Sequence, residues 1–120
     1  MTIGGHRTER VAEEIHREVE LMLAGELKDP RLAVPLTITE VRVTPDLRTV
    51  RVFVQVEGED AEREEALKGL KTAAGFVRHE LVERLQLRRA PEVMFIADQS
   101  EEYGQHIEEL LRKATHPEKS

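Results

Sequence analysis

Four valines at every second position, Val50, Val52, Val54 and Val56, alternate with Arg51, Phe53 and Gln55 and fix a strand with one apolar and one more polar face. The preceding segment constrains what that strand can pair with. Leu36, Ile38, Val41 and Val43 also alternate, but their parity slips by one at Thr39-Glu40, which reads as a β-bulge. Pro45-Asp46-Leu47-Arg48 lies between the two runs and reads as a turn. Strands joined by so short a connection pair antiparallel, as a hairpin.

The remaining periodicity is helical. Val11, Ile15, Val19, Met22 and Leu23 recur at helical spacing between Thr8, suited to an N-cap, and Gly25, suited to a terminator. Asp29-Pro30 marks a turn, because Pro30 has no N–H and pushes Asp29 toward an extended conformation. Gly58 and the acidic run from Glu57 to Glu65 read as a loop and the charged first turn of the next helix. Leu67, Leu70 and Ala74 supply one apolar stripe, and Val77, Leu81 and Leu85 a second; Ala73-Ala74-Gly75 between them predicts a break, so that two consecutive helices meet at Gly75. Pro91 opens a short strand, Val93 to Ala97, and Asp98 with Glu101 fits the cap of a last helix running through Ile107, Leu110 and Leu111, before a frayed end from Thr115 to Ser120.

The helix pair is the crossover that returns the chain to a third strand of the same sheet. The predicted class is therefore α+β, with type II KH topology: order α-β-β-α-α-β plus a C-terminal helix, and a three-stranded sheet with helices mainly on one face. One domain over residues 1–120, with an ordered core of about 8–112, accommodates it. A chain of this length buries roughly two-thirds of its unfolded surface. With aromatics at 3% and charged residues at 35%, the core must come from Val, Leu, Ile and Ala. There is no cysteine, hence no disulfide or thiolate chemistry, and no apolar run long enough to span a membrane. The N-terminus lacks a secretory apolar region, and a soluble, cytoplasmic setting is expected.

Net charge is −6, which argues against a nonspecific nucleic-acid coat. Its distribution is uneven. Residues 57–65 carry −5, whereas residues 66–89 carry six bases (Lys68, Lys71, Arg78, Arg84, Arg88, Arg89) against Glu80 and Glu83, a local charge of +4. A helix break flanked by Lys and Arg is a candidate phosphate-binding corner. Gly75 would allow close approach, a helix beginning there would direct the free N–H groups of Phe76 and Val77 and its positive dipole end outward, and Lys68, Lys71, Arg78 and Arg88 or Arg89 would add charge-assisted contacts. The RNA-binding candidates are Lys68, Lys71, Ala73, Ala74, Gly75, Arg78, Arg88 and Arg89, with Arg42 and Arg51 as an extension along the sheet. The alternatives are a simple helix-joining glycine and solvated bases without a partner.

The same residues resemble the bacterial ribosome-binding factor A family. The resemblance runs from about Arg10 to Leu111 through Asp29-Pro30-Arg31-Leu32, Thr37-Ile38-Thr39-x-Val41-x-Val43-Thr44-x-Asp46-Leu47, Val52-x-Val54, Ala73-Ala74-Gly75-x-x-Arg78-x-x-Leu81, Pro91-x-Val93-x-Phe95 and Asp98-x-Ser100, then Gly104, Ile107, Leu110 and Leu111. Order and spacing carry it more than any one piece. It implies an Ala-x-Gly kink in place of the Gly-x-x-Gly loop of KH domains. It also implies a cytoplasmic factor without catalytic activity or cofactor that binds the immature small (30S) ribosomal subunit and its 16S ribosomal RNA. Such a factor promotes late maturation, including 5′ end processing, and matters most in the cold. Ribosomal proteins and assembly GTPases are further implied partners, and a monomer the implied state.

Other features read as ordinary. Five histidines (His6, His16, His79, His106, His116) are scattered without metal-ligand spacing, and Glu13, Glu14, Glu18 and Glu20 lie on the polar side of an amphipathic helix. Phe53, Phe76 and Phe95 are too few for a base-stacking platform, with Phe53 the one candidate. There is no Gly-x-Gly-x-x-Gly, P-loop or nucleophile elbow. A competing class is an acidic adaptor that meets basic ribosomal proteins through residues 57–65 and the terminal helix; a small hydrolase using His and Glu is the other.

Overall fold

The first helical stripe forms α1, Ile3–Gly25, in the computed structural model, which describes residues 3–99 and 110–112. It buries Ile15, Val19 and Met22. It begins five residues before the expected cap at Thr8 and runs through Gly4-Gly5 despite the poor helix propensity of glycine; no proline stands in the way. At its end the N–H groups of Glu26 and Leu27 both donate to the Met22 carbonyl, at 2.8 and 3.0 Å. Asp29-Pro30 then starts a single 3₁₀ turn, η1, Pro30–Leu32, in which the Asp29 carboxylate accepts from the Arg31 N–H at 2.9 Å.

Strands β1 (Leu36–Val43) and β2 (Thr49–Val56) pair antiparallel, and the register shifts between Ile38 and Glu40, the expected bulge. The connecting turn is built from side chains as well as backbone. Leu47 adopts a left-handed conformation, φ 60°, and its N–H donates to the Thr44 carbonyl at 2.8 Å. The Asp46 carboxylate accepts from the Thr44 hydroxyl at 2.7 Å and from the Arg48 N–H at 3.0 Å. Thr44, Asp46 and Leu47 thus owe their pattern to one turn.

A capping box opens the next helix: the Glu59 side chain accepts from the backbone three residues on, and Glu62 accepts from the Glu59 N–H at 2.8 Å. Helix α2, Asp60–Leu85, then runs unbroken to Gln86, whose left-handed conformation (φ 55°, ψ 49°) ends it. The expected pair of helices meeting at Gly75 is therefore one helix of 26 residues. Ala66, Leu70, Val77 and Leu81 are buried and, with half-buried Ala74 and Leu85, keep a single helical phase across the glycine. A helix-interior glycine costs about 1 kcal/mol against alanine, less than burying one such leucine side chain contributes.

After α2 the chain returns through β3, Glu92–Ala97, which lies parallel to β2, so the sheet order is β1-β2-β3. Both helices pack on the face bearing Ile38, the four β2 valines, Val93 and Phe95, and these form the core with the helical stripes. The architecture is α+β and KH-like, with a mixed three-stranded sheet and helices on one face. Leu110, Leu111 and Arg112 are helical. The remainder of the expected last helix, its partner Glu101 at the cap, and the end from Thr115 lie outside the described residues.

Candidate nucleic-acid interface

Lys68, Lys71, Gly75 and Arg78 follow one another at helical spacings of three and four, so a continuous α2 aligns them along a single exposed face. Ala74 sits at its edge, half-buried, where a groove of about 230 Å³ opens between α2 and β3 with Lys71, Val93, Met94 and Phe95. Arg78, one helical turn beyond Ala74, donates to the Ala90 carbonyl at 3.4 Å. This brings the loop bearing exposed Arg88 and Arg89 to the same side. Lys68 is 3.3 Å from Glu65, and both side chains are largely exposed, so the pair constrains Lys68 little.

One candidate, Ala73, and one base of the positive stretch, Arg84, are placed elsewhere. Ala73 turns toward the opposite side of α2, into a hollow with Gly69, Thr72, Phe76 and Glu26. Arg84 is committed to three carboxylates: it donates to Glu18 at 3.1 Å, to Glu80 at 3.1 Å and to Glu26. The hydrogen bonds it donates to Glu26 and then to Glu18 raise its pKa above the ordinary guanidinium value, and Arg84 in turn lowers the pKa of Glu26. Its work is to tie α1 to α2.

The expected amide cradle is absent. Within an unbroken α-helix the N–H groups of Phe76 and Val77 are used by the carbonyls four residues back, so no free donors or helix start face outward at Gly75. Gly75 itself is exposed, and a β-carbon there would meet nothing within 4 Å. The small residue leaves a shallow, cation-flanked notch in a helix surface, which a phosphate chain can approach through side chains rather than backbone.

Gly69, which sequence reasoning passed over, is the glycine the packing requires. It is buried, and η1 lies against it. Arg31 grips Asp29 there with both nitrogens, Nε to Oδ1 at 3.0 Å and Nη2 to Oδ2 at 2.6 Å, and Asp29 is held below the usual carboxylate range by those bonds. The only sequence signal for this contact was the Asp29-Pro30-Arg31-Leu32 run itself.

The other sheet face carries Arg42, Arg51, Phe53, Met94 and Ile96, and no described element covers it. Arg42 donates to Glu40 at 2.7 Å, and its guanidinium carbon stands 5.5 Å from the Phe53 ring centre. Arg42 and Arg51 are cross-strand partners on this face, separate from the α2 cations.

Among known proteins, the sequence profile of ribosome-binding factor A matches residues 7–111. The chain belongs to the ribosome-binding factor A family. A family member from Acetivibrio thermocellus is 48% identical over 109 residues, covering 91% of this chain and 89% of that protein. The crystal structure of ribosome-binding factor A from Thermus thermophilus superposes with a TM-score of 0.58 at 27% identity, covering 80% of this chain and 97% of that one. A homology model of the Thermus thermophilus factor, fitted into a cryo-EM map of its complex with 30S, gives 0.53 at 28% identity, covering 72% and 93%. Among the described residues of this ribosome-binding factor A family member, no helix is long and apolar enough to cross a membrane.

Proposed function

We propose that this chain binds the immature 30S subunit in the cytoplasm as a monomeric assembly factor, contacts 16S ribosomal RNA and promotes late small-subunit maturation. In that role it supports 5′ end processing of the RNA, with most weight in the cold, alongside ribosomal proteins and assembly GTPases. It acts by binding and not as an enzyme: a factor that holds a precursor conformation more tightly than the mature one biases RNA folding by that difference alone. Family membership and the 30S complex of the Thermus thermophilus factor support the partner.

The observation that carries the reading is the alignment of Lys68, Lys71, Gly75 and Arg78 on one exposed face of α2 beside the β3 groove. Because the helix amides there are already used, affinity comes from side-chain cations on phosphate, and binding weakens steeply with salt. Reversing charge with Lys71→Glu and Arg78→Glu is expected to reduce cosedimentation with immature 30S particles at least tenfold. It should also raise unprocessed 16S RNA in cells grown cold. Undiminished cosedimentation by the folded double variant overturns the face.

A further inference from the structure

Two separate openings border α2 and β3, and they differ in charge. The small groove beside Val93 and Phe95 has Lys71 on its wall; near the end of β3 lies a distinct cleft of about 610 Å³. The cleft floor is apolar, made by Val56, Leu67 and Ala97, and Glu57, Glu64 and Asp98 stand on its rim. Arg63 also lines it, 2.6 Å from Asp60, and the four lining acids Glu57, Asp60, Glu64 and Asp98 outnumber that one base. Glu64 and Arg78 lie on one unbroken helix, 14 positions and about 21 Å apart along its axis.

A phosphate chain lying along α2 from Arg78 toward Glu64 would run into carboxylates and be repelled. The occupant of the cleft must be cationic and carry apolar side chains for the floor. We propose that this cleft docks an extended lysine- and arginine-rich polypeptide segment that carries aliphatic residues between its bases, so that α2 spaces a peptide site from a nucleic-acid site. Residues 100–112 of the chain itself fit poorly, since they carry Glu101, Glu102, Glu108 and Glu109 against a single Arg112. The proposal goes beyond the subunit-binding face, and its test does not use the subunit.

The probe is a synthetic octapeptide of alternating lysine and valine, titrated into the isotope-labelled full chain and followed by NMR, with lysine–serine and glutamate–valine octapeptides as controls. The expected result is saturable shifts at Val56, Leu67 and Ala97, at least tenfold weaker binding by a Glu57→Lys, Glu64→Lys variant, and no weakening by Lys71→Glu with Arg78→Glu. Glu57 and Glu64 are both exposed and outside the Glu59–Glu62 capping box, so these changes leave the fold in place; Glu57→Gln with Glu64→Gln gives a milder second reading. The lysine–serine peptide should bind several-fold more weakly. Shifts centred elsewhere, equal binding of the serine peptide, or indifference to Glu57 and Glu64 overturns the proposal. So do nuclear Overhauser contacts from Tyr103 or Ile107 to Leu67 in the free chain, which would make its own tail the occupant.

Discussion

A β-carbon placed on Gly69 would stand 3.3 Å from Oδ2 of Asp29, with Leu32 Cδ2 at 3.1 Å and Arg31 Cβ at 3.3 Å. The glycine lets η1 lie directly on α2, and the Asp29–Arg31 pair is seated at that contact. Gly69→Ala gains helix propensity but must displace three neighbours at once, two of them held together in a two-pronged ion pair. The expected outcome is a net loss of about 1 kcal/mol in urea unfolding, and Gly69→Val should lose more. A stabilised Gly69→Ala protein would show that η1 yields freely.

Gly75 should behave in the opposite way. It sits mid-helix with open space where a β-carbon would go, so Gly75→Ala should stabilise the fold by about 0.5–1 kcal/mol. If the notch at this position receives a phosphate chain, the same change should weaken 30S cosedimentation. A protein that is more stable and binds less well would separate the glycine's binding role from its structural one.

The contrast between these two glycines shows what was legible in the sequence. Gly75 advertised itself through its bases and its two alanines, yet the in-phase run of Leu70, Ala74, Val77 and Leu81 already argued for an unbroken helix. The strands, the bulge at Thr39-Glu40 and the turn at Asp46 could be read because period-2 alternation and turn chemistry are local. Gly69 could not, because its neighbours lie 37 to 40 positions earlier in the chain and no local pattern records a tertiary contact. Arg84 escaped for the same reason. Its charge counted toward a basic patch until the fold set Glu18 and Glu26 of the α1 region beside it.

That cluster makes acid sensitivity predictable. Glu26 is held below its ordinary value of 4.5 mainly by the hydrogen bond from Arg84, and Asp29 and Asp46 are likewise depressed below 3.8, by Arg31 and by the Thr44 hydroxyl first. A carboxyl with a depressed folded pKa contributes stability that is present above its unfolded pKa and is lost as pH falls through the folded one. The melting temperature should therefore hold from about pH 7 to about pH 5 and fall on further acidification. Arg84→Met should melt lower near neutrality, with three carboxylates left facing one another, and show a shallower acid fall because Glu26 is no longer depressed. Parallel acid profiles for the two proteins would sink this assignment.

The bulge has a consequence for the opposite edge of the sheet. By releasing Thr39 from the regular ladder it frees the hydroxyl to donate to the Asp98 carboxylate, which follows β3, while the same oxygen lies 3.3 Å from the Phe53 carbonyl of β2. Asp98 is also anchored through its own N–H to the Val54 carbonyl at 2.8 Å. One threonine thus links the middle of β1 and of β2 to the end of β3, where Asp98 lines the acidic cleft. Thr39→Val keeps the β-branched shape and removes only the hydroxyl, so a loss of about 1 kcal/mol is expected. The loss should be localised, with faster amide exchange at Asp98 and Ala97 and little change at Val50 or Val93. Asp98→Asn, which retains an acceptor oxygen, should cost less. Exchange that quickens uniformly over the sheet would show that the bond supports the whole fold and not this corner.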